Sequence, residues 1–316
     1  MKKVAIVTAS HKRLMCQEAR QMLTDAGFSL VCNDTGRRLD RDEQKALIKD
    51  ADAIIAGTET YDEEMLAGCE NLKVVTRFGV GTDNFDLDTM KKMGLEVGVI
   101  ANYNAVAEFA VTLMLGVLKN LPLQDAAVRR AAWDRSATRE LTAKTVGILG
   151  FGRIGRRVAE LLKGFDVKLL AYDPYPNEQA AKERGVELVS FEEVLEQSDI
   201  VSLHLPYMDQ THHLIDEAAI RKMKEGAYLI NTARGPLVDE VALSRALQSG
   251  KLLGAGLDVY EIEPITAENP FIPLKNTVLT PHVSALTFET NYNGGIICAQ
   301  SIINVFNGGK PLYPLW

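Results

Sequence analysis

The sequence has little of what marks a secreted, metal-bound or membrane-embedded chain. Only 4 of its 316 residues are cysteine (Cys16, Cys32, Cys69 and Cys298), far apart and with no C-x-x-C pair. A disulfide lattice or a zinc framework needs tighter spacing, so the thiols read as reduced, no metal is expected, and the cytoplasm is the expected location. No block of Lys or Arg exceeds a triplet, and 35 basic against 42 acidic residues leave a net charge of -7. Phosphate neutralisation needs clustered cations, so a nucleic-acid partner is not expected. The longest apolar run, Phe109 to Leu118, contains Thr112 and falls far short of a membrane span. Charge runs into a short apolar stretch at Met1-Lys2-Lys3-Val4-Ala5-Ile6-Val7, but no A-x-A-like cleavage site follows, and the segment reads as a buried strand.

What is present is ordinary globular material, 47% apolar and 24% charged, at a length that suggests two domains. Short β-branched runs alternate with longer amphipathic stretches, the pattern of parallel sheets covered by helices. In the first half, strands are expected at Val4–Thr8, Ser29–Cys32, Ala53–Ala56, Lys73–Arg77 and Glu96–Ile100, with helices between them. Asn102–Asn104 opens a long apolar helix from Ala105 to Leu121, stopped by Pro122. A second series follows at Thr145–Leu149, Lys168–Tyr172, Leu188–Val189, Ile200–Leu203, Tyr228–Asn231, Gly254–Asp258 and Val278–Thr280. A final apolar helix, Thr290 to Phe306, fits either domain.

The sharpest motif is Gly150-Phe151-Gly152-Arg153-Ile154-Gly155, which follows the strand Thr145–Leu149 and opens the helix Arg156–Leu162. Gly150 permits a tight turn, Gly152 lets backbone amides approach a pyrophosphate, and Gly155 allows close helix–strand packing. The helix N-terminus adds partial positive charge. The motif requires an acid at the end of the next strand, and Asp173 stands there. Its carboxylate accepts the ribose hydroxyls of NAD and repels the 2′-phosphate of NADP. NAD is the expected cofactor.

Three segments end later strands: Asn231-Thr232-Ala233-Arg234-Gly235, Asp258 to Pro264, and Thr280-Pro281-His282. Ligands of open α/β sheets bind beyond the carboxyl ends of strands. An Arg, a Glu and a His brought together there are able to oxidise an alcohol next to a carboxylate. The His takes the hydroxyl proton as hydride leaves, the Glu stabilises imidazolium, and the Arg binds the carboxylate. Spacing alone leaves plain surface ion pairs as the alternative.

These segments, with Arg77–Asn84 and Asn104–Glu108, resemble the D-isomer-specific 2-hydroxyacid dehydrogenases, the group that includes phosphoglycerate dehydrogenase. The resemblance covers nearly the whole chain in the family's order. It implies two doubly wound parallel-sheet α/β domains with a cleft between them: a flavodoxin-like substrate-binding domain (1–100 plus 284–316) and a Rossmann NAD domain (101–283). It implies Arg234, Glu263 and His282 as catalytic residues. Cofactor contacts are implied for Gly150, Gly152, Arg153, Ile154, Gly155, Asp173, His204, Pro206, Thr211, Thr232 and Asp258, the last at the nicotinamide amide. Arg77, Val80, Gly81 and Arg234 are implied to hold a small 2-hydroxy or 2-oxo acid. A homodimer is implied as well, with the helix Ala105–Leu121 at its interface; an intramolecular core helix is the alternative.

Departures from the family pattern bear on the substrate. Phosphoglycerate dehydrogenases usually carry an arginine in the segment equivalent to Ala56–Thr60, which here reads Ala56-Gly57-Thr58-Glu59-Thr60. A phosphate beside Glu59 is repelled, which favours a small unphosphorylated acid. Ile100–Asn104 is shorter than the family's usual loop, and no regulatory domain is expected after residue 316. D-3-phosphoglycerate oxidation in serine biosynthesis is the alternative. A corepressor-like NAD(H) sensor, a phosphite dehydrogenase and a formate dehydrogenase are remoter, and the last would want Gln at position 263. His212 and His213 read as exposed loop residues, and Trp133 as core or interdomain packing.

Overall fold

The computed structural model describes residues 1–100 and 103–316. Ala101 and Asn102, which the sequence reading placed at the helix-opening loop and the domain boundary, lie outside the described residues. The chain forms two compact units, Met1–Asn102 with Ala285–Trp316, and Tyr103–Ser284.

Unit 1 runs β1 (Lys2–Ile6), α1 (His11–Leu14), α2 (Gln17–Asp25), β2 (Phe28–Cys32), α3 (Arg41–Ile48), β3 (Ala53–Ala56), α4 (Glu63–Leu66), β4 (Val74–Arg77), α5 (Leu87–Lys92) and β5 (Glu96–Val99). The strands form a parallel sheet in the order β2-β1-β3-β4-β5. Helices cover both faces, which is why β3 is an unbroken apolar run with all four residues buried. Acids start the helices: Asp40 and Glu43 make a capping box at α3, and Asp62 and Asp86 accept backbone amides at α4 and α5.

Unit 2 opens with α6 (Asn104–Leu118) and α7 (Leu121–Arg129). It continues with β6 (Thr145–Leu149), α8 (Arg153–Leu162), β7 (Lys168–Tyr172), α9 (Glu178–Arg184), β8 (Glu187–Leu188), α10 (Phe191–Gln197) and β9 (Ile200–Leu203). It ends with α11 (Glu217–Lys222), β10 (Ala227–Asn231), α12 (Glu240–Ser249), β11 (Leu252–Leu257) and β12 (Thr277–Leu279). The seven strands are parallel in the order β12-β11-β10-β9-β6-β7-β8, so the winding reverses between β6 and β9. Both units are thus doubly wound α/β sheets, as the sequence pattern implied, and unit 2 has the strand order of a dinucleotide-binding fold.

Helix α13 (Phe288–Phe306) belongs to unit 1, where Cys298, Ala299 and Ile302 pack on Val4, Ile6 and Val74. The tail then borders β5. The Val99 amide donates to the Tyr313 carbonyl at 3.0 Å and the Leu315 amide to the Val97 carbonyl at 3.0 Å. Lys91 lies 5.0 Å from the ring centre of Trp316.

Three local expectations are corrected. The long helix stops at Leu118, and Pro122 lies in the first turn of α7 instead of ending α6. Asn120, left-handed at φ 48°, makes the break, and the two helix axes diverge by 62°. A proline in a first turn loses no helical hydrogen bond, so it suits a start as well as a stop. Trp133 is not core: it is 84% exposed, in a segment without regular structure. His212 is exposed as expected, but His213 is half-buried, with its Nε2 3.1 Å from Glu261 Oε1 and its ring stacked on His212.

Candidate active site

The glycine loop lies at the reversal of the unit 2 sheet. The Gly150 amide donates to the Tyr172 carbonyl and the His204 amide to the Leu149 carbonyl, which ties the loop to β7 and β9. Gly155 must be glycine, because a methyl there would meet the Gly150 carbonyl oxygen at 2.1 Å. A methyl on Gly152 would meet nothing, so the approach to the α8 N-terminus is open. Arg153 is exposed in the first turn of α8, and Ile154 packs inward.

Asp173 follows β7. Its Oδ2 accepts the Phe151 amide at 2.7 Å and its Oδ1 the Tyr175 amide at 2.9 Å, so the acid is fixed against the glycine loop. Each oxygen keeps a second lone pair for a hydroxyl. His204 follows β9 with its Nε2 2.9 Å from Ser202 Oγ. Its Nδ1 is buried with no partner among the described residues, and burial pushes its pKa down to about 3. Thr232 Oγ1, beyond β10, is also buried and unpartnered among the described residues. Thr211 is occupied locally, its hydroxyl donating towards the Pro206 carbonyl while accepting the Met208 amide. An open helix N-terminus, a fixed acid and two orphaned polar atoms at strand ends fit a dinucleotide.

Glu263 and His282 meet directly, with His282 Nδ1 2.7 Å from Glu263 Oε2. The Tyr260 amide donates to the other Glu263 oxygen at 3.0 Å. Burial pushes the Glu263 carboxyl up, but the hydrogen bond and charge of His282, the Tyr260 amide and the charge of Arg234 outweigh it. The net pKa lies below the ordinary carboxylate value. With Nδ1–H donated to Glu263, the imidazole presents Nε2 for proton exchange. His282 has φ 53°, an uncommon left-handed conformation for a side chain of this kind.

Its backbone is held by Asp258, which is fully buried. The Asp258 carboxylate accepts the Thr280 hydroxyl at 2.6 Å and the Val283 and Ser284 amides at 2.9 Å. Asp258, expected at the nicotinamide amide, thus also braces the His282 loop. The Tyr260 hydroxyl donates to the Thr280 carbonyl at 3.1 Å, which links the loops of Glu263 and His282.

Arg234 extends from a turn organised by Asn231, whose side chain accepts the Ala233 amide and donates to the Arg234 carbonyl. Sequence reasoning passed over Asn231, although an Asn two residues before a backbone amide is a known turn signal. The guanidinium also donates to the Ala233 carbonyl at 2.7 Å. In unit 1, Arg77 points its Nε at the Gly81 carbonyl (3.1 Å) and Nη1 at the Phe78 carbonyl (2.9 Å). It braces the turn that carries Val80 and Gly81.

Residues 111–284 match the family model described as "D-isomer specific 2-hydroxyacid dehydrogenase, NAD binding domain". The chain is 39% identical over 283 residues to a glyoxylate reductase of Thermofilum pendens, covering 86% of this chain and 83% of the relative. It is 38% identical over 275 residues to a D-3-phosphoglycerate dehydrogenase of Archaeoglobus fulgidus, covering 85% of this chain; it spans about half of that relative, 52%. A glyoxylate reductase structure from Paecilomyes thermophila superposes with a TM-score of 0.89 at 29% identity, covering 99% of this chain and 98% of the other. The chain belongs to the D-isomer specific 2-hydroxyacid dehydrogenase family, and unit 2 contains its NAD-binding domain.

Proposed function

We propose that the protein is an NAD-dependent D-2-hydroxyacid dehydrogenase that interconverts a small unphosphorylated 2-hydroxy acid and its 2-oxo acid. The observation that carries this reading is the 2.7 Å pairing of His282 Nδ1 with Glu263 beside the charge of Arg234. Bound NAD(H) supplies or accepts the hydride. The glycine loop and the N-terminus of α8, with Arg153 and Ile154, hold its pyrophosphate; Asp173 holds a ribose. His204, Pro206, Thr211, Thr232 and Asp258 complete the cofactor wall.

In the reducing direction, His282 gives the proton on Nε2 to the keto oxygen. Glu263 fixes the ring and offsets the charge of the imidazolium. Arg234 grips the substrate carboxylate and polarises the carbonyl. Val80, Gly81 and Arg77 are the substrate contacts proposed for unit 1, with Arg77 also holding their turn. Unit 1 is the substrate-binding domain in this reading. The acid Glu59, where phosphoglycerate dehydrogenases usually carry a base, supports an unphosphorylated substrate.

The test is NADH oxidation across a panel of 2-oxo acids with His282→Ala as control. Turnover in the native protein, lost about 10²- to 10⁴-fold in the variant with NADH binding retained, supports the assignment. NADH binding without turnover of any acid sinks it and favours a sensor.

A homodimer is part of the same reading. Helix α6 is largely buried within unit 2, but Leu121, Leu123, Val128 and Trp133 are exposed one after another along and beyond α7. Such a patch suits a second copy of this chain. We place the protein in the cytoplasm: its four thiols are unpaired. No single helix among the described residues is long and apolar enough to cross a membrane.

A further inference from the structure

Arg234 and Glu263 stand on separate loops, beyond β10 and β11, yet one peptide group joins them. Gly235, next to Arg234, is buried against the backbone of the Glu263 loop. A methyl on it would lie 1.9 Å from the Tyr260 carbonyl carbon and 2.5 Å from the Glu261 amide nitrogen. Only glycine therefore lets the two loops press together. The Tyr260 amide, one peptide earlier, donates to Glu263 at 3.0 Å. The Glu261 amide, which belongs to the pressed peptide itself, donates to Glu240 Oε1 at 2.9 Å.

Glu240 is the first residue of α12, the helix that follows the Arg234 turn. Its half-buried carboxylate is committed on both sides, since Oε2 accepts the Asn269 side-chain amide at 2.9 Å. Asn269 is itself pinned by the Phe271 amide at 3.0 Å. The contact is also returned: the Glu240 amide donates to Glu261 Oε1 at 3.1 Å, the oxygen that faces His213 Nε2. His213, left-handed at φ 49°, sends its amide to the Pro236 carbonyl at 2.8 Å, back beside the Arg234 turn.

An acid in a first turn often serves its own helix. Here Asp239 does so, accepting the Ala242 amide at 2.9 Å, while both Glu240 oxygens reach away from the helix. Burial pushes the Glu240 carboxyl up, and the nearby Glu261 charge adds to this, although the Glu261 amide and Asn269 pull the other way. Helix capping does not account for an acid in so unfavourable a place. We infer that Glu240 is a positioning residue: by fixing the Glu261 amide it sets Tyr260, and through the Tyr260 amide it sets Glu263 against His282. The inference rests on the proposed dehydrogenase reading, in which Glu263 stabilises the imidazolium.

The experiment measures NADH-dependent reduction of the best 2-oxo acid of the panel across pH. It uses the full chain as native protein and as Glu240→Ala, Glu240→Asp and Glu240→Gln. Reduction needs protonated His282, and Glu263 stabilises that form, so a displaced Glu263 moves the alkaline fall-off of kcat/KM to lower pH. Alanine is expected to lower kcat about tenfold or more and to shift that fall-off by about one pH unit, with NADH binding retained. Aspartate keeps the charge at the helix N-terminus but is too short for the Glu261 amide. It should act like alanine, and it decides the matter if the alanine variant fails to fold. Glutamine keeps an oxygen for that amide and should stay close to native. A folded alanine or aspartate variant with native kcat and an unmoved pH profile overturns the role, even if its melting temperature falls. Glutamine as slow as alanine overturns it too, because the hydrogen bond to the Glu261 amide is then not what matters. Absence of turnover in the native protein with every 2-oxo acid is a different result: it removes the dehydrogenase reading, and this inference with it.

Discussion

Asp258 positions His282 without touching its imidazole. The His282 amide donates to the Asp258 carbonyl at 2.8 Å, while the Asp258 carboxylate collects the Thr280 hydroxyl and the Val283 and Ser284 amides. One buried acid thus fixes both flanks of a residue held at φ 53°. Replacing Asp258 by Ala strands those donors, each bond to a charged group being worth about 1.5–3 kcal/mol. The expected result is a kcat lowered at least about tenfold, the cost of even one such bond, together with a lower melting temperature. A kcat within twofold of native at a temperature where the variant is folded counts against the bracing role.

Acid should weaken the fold in two separable stages. His204 has a pKa of about 3 in the folded chain against an ordinary 6.5, so between those values the unfolded chain binds more protons. Stability then falls as pH drops below 6.5, at up to about 1.4 kcal/mol per pH unit. Glu263 is also held below its ordinary 4.5, so its contribution is present above 4.5 and is lost as pH falls through the lower folded value. Urea melts at stepped pH should show the upper slope flattened by His204→Gln and left in place by Glu263→Gln. Equal slopes in native protein and His204→Gln contradict the first stage.

Cofactor choice depends on Asp173. Its oxygens are anchored by the Phe151 and Tyr175 amides, so a 2′-phosphate brought there meets a fixed negative charge. Asp173→Ala should weaken NADH binding and raise the NADPH-to-NADH ratio of kcat/KM by about tenfold or more, the equivalent of about 1.4 kcal/mol. An unmoved ratio means the acid only braces the loop.

The Tyr61 hydroxyl is buried with no partner among the described residues, while its ring meets Phe85 edge-on at 5.5 Å. An unsatisfied buried hydroxyl costs about 1–3 kcal/mol, so Tyr61→Phe should stabilise the protein by about 1 kcal/mol. Chemical denaturation reads this directly, and a less stable variant would mean the hydroxyl is satisfied in solution.

Val128 is 64% exposed and Leu121 60%. If they cover a second copy, Leu121→Asp with Val128→Asp should give a monomer by sedimentation where the native chain is dimeric. A native monomer at micromolar concentration rejects the homodimer outright.

The strands and the glycine loop were readable because β-branched runs and glycine positions follow from backbone geometry. Ala53–Ala56 and Thr145–Leu149 needed no tertiary information. Pro122 was misread because a proline in a first turn starts a helix as readily as it ends one. Trp133 was misread because apolar character favours burial without compelling it. The role of Asp258 was hidden because its partners, Thr280, Val283 and Ser284, are distant in sequence and two of them are backbone amides. The seating of buried Glu59 on the Gly57 amide depends on the absence of a side chain at Gly57, which spacing does not reveal.

The tail from Tyr313 to Trp316 closes the edge of a sheet whose first strand begins at Lys2. During synthesis, unit 2 can be complete in sequence before unit 1 has received its last helix and edge cover. Within residues 1–316, unit 1 is therefore begun before unit 2 and finished after it. Until α13 has been made, the apolar surface of β1 and β4 that it covers has no permanent shelter.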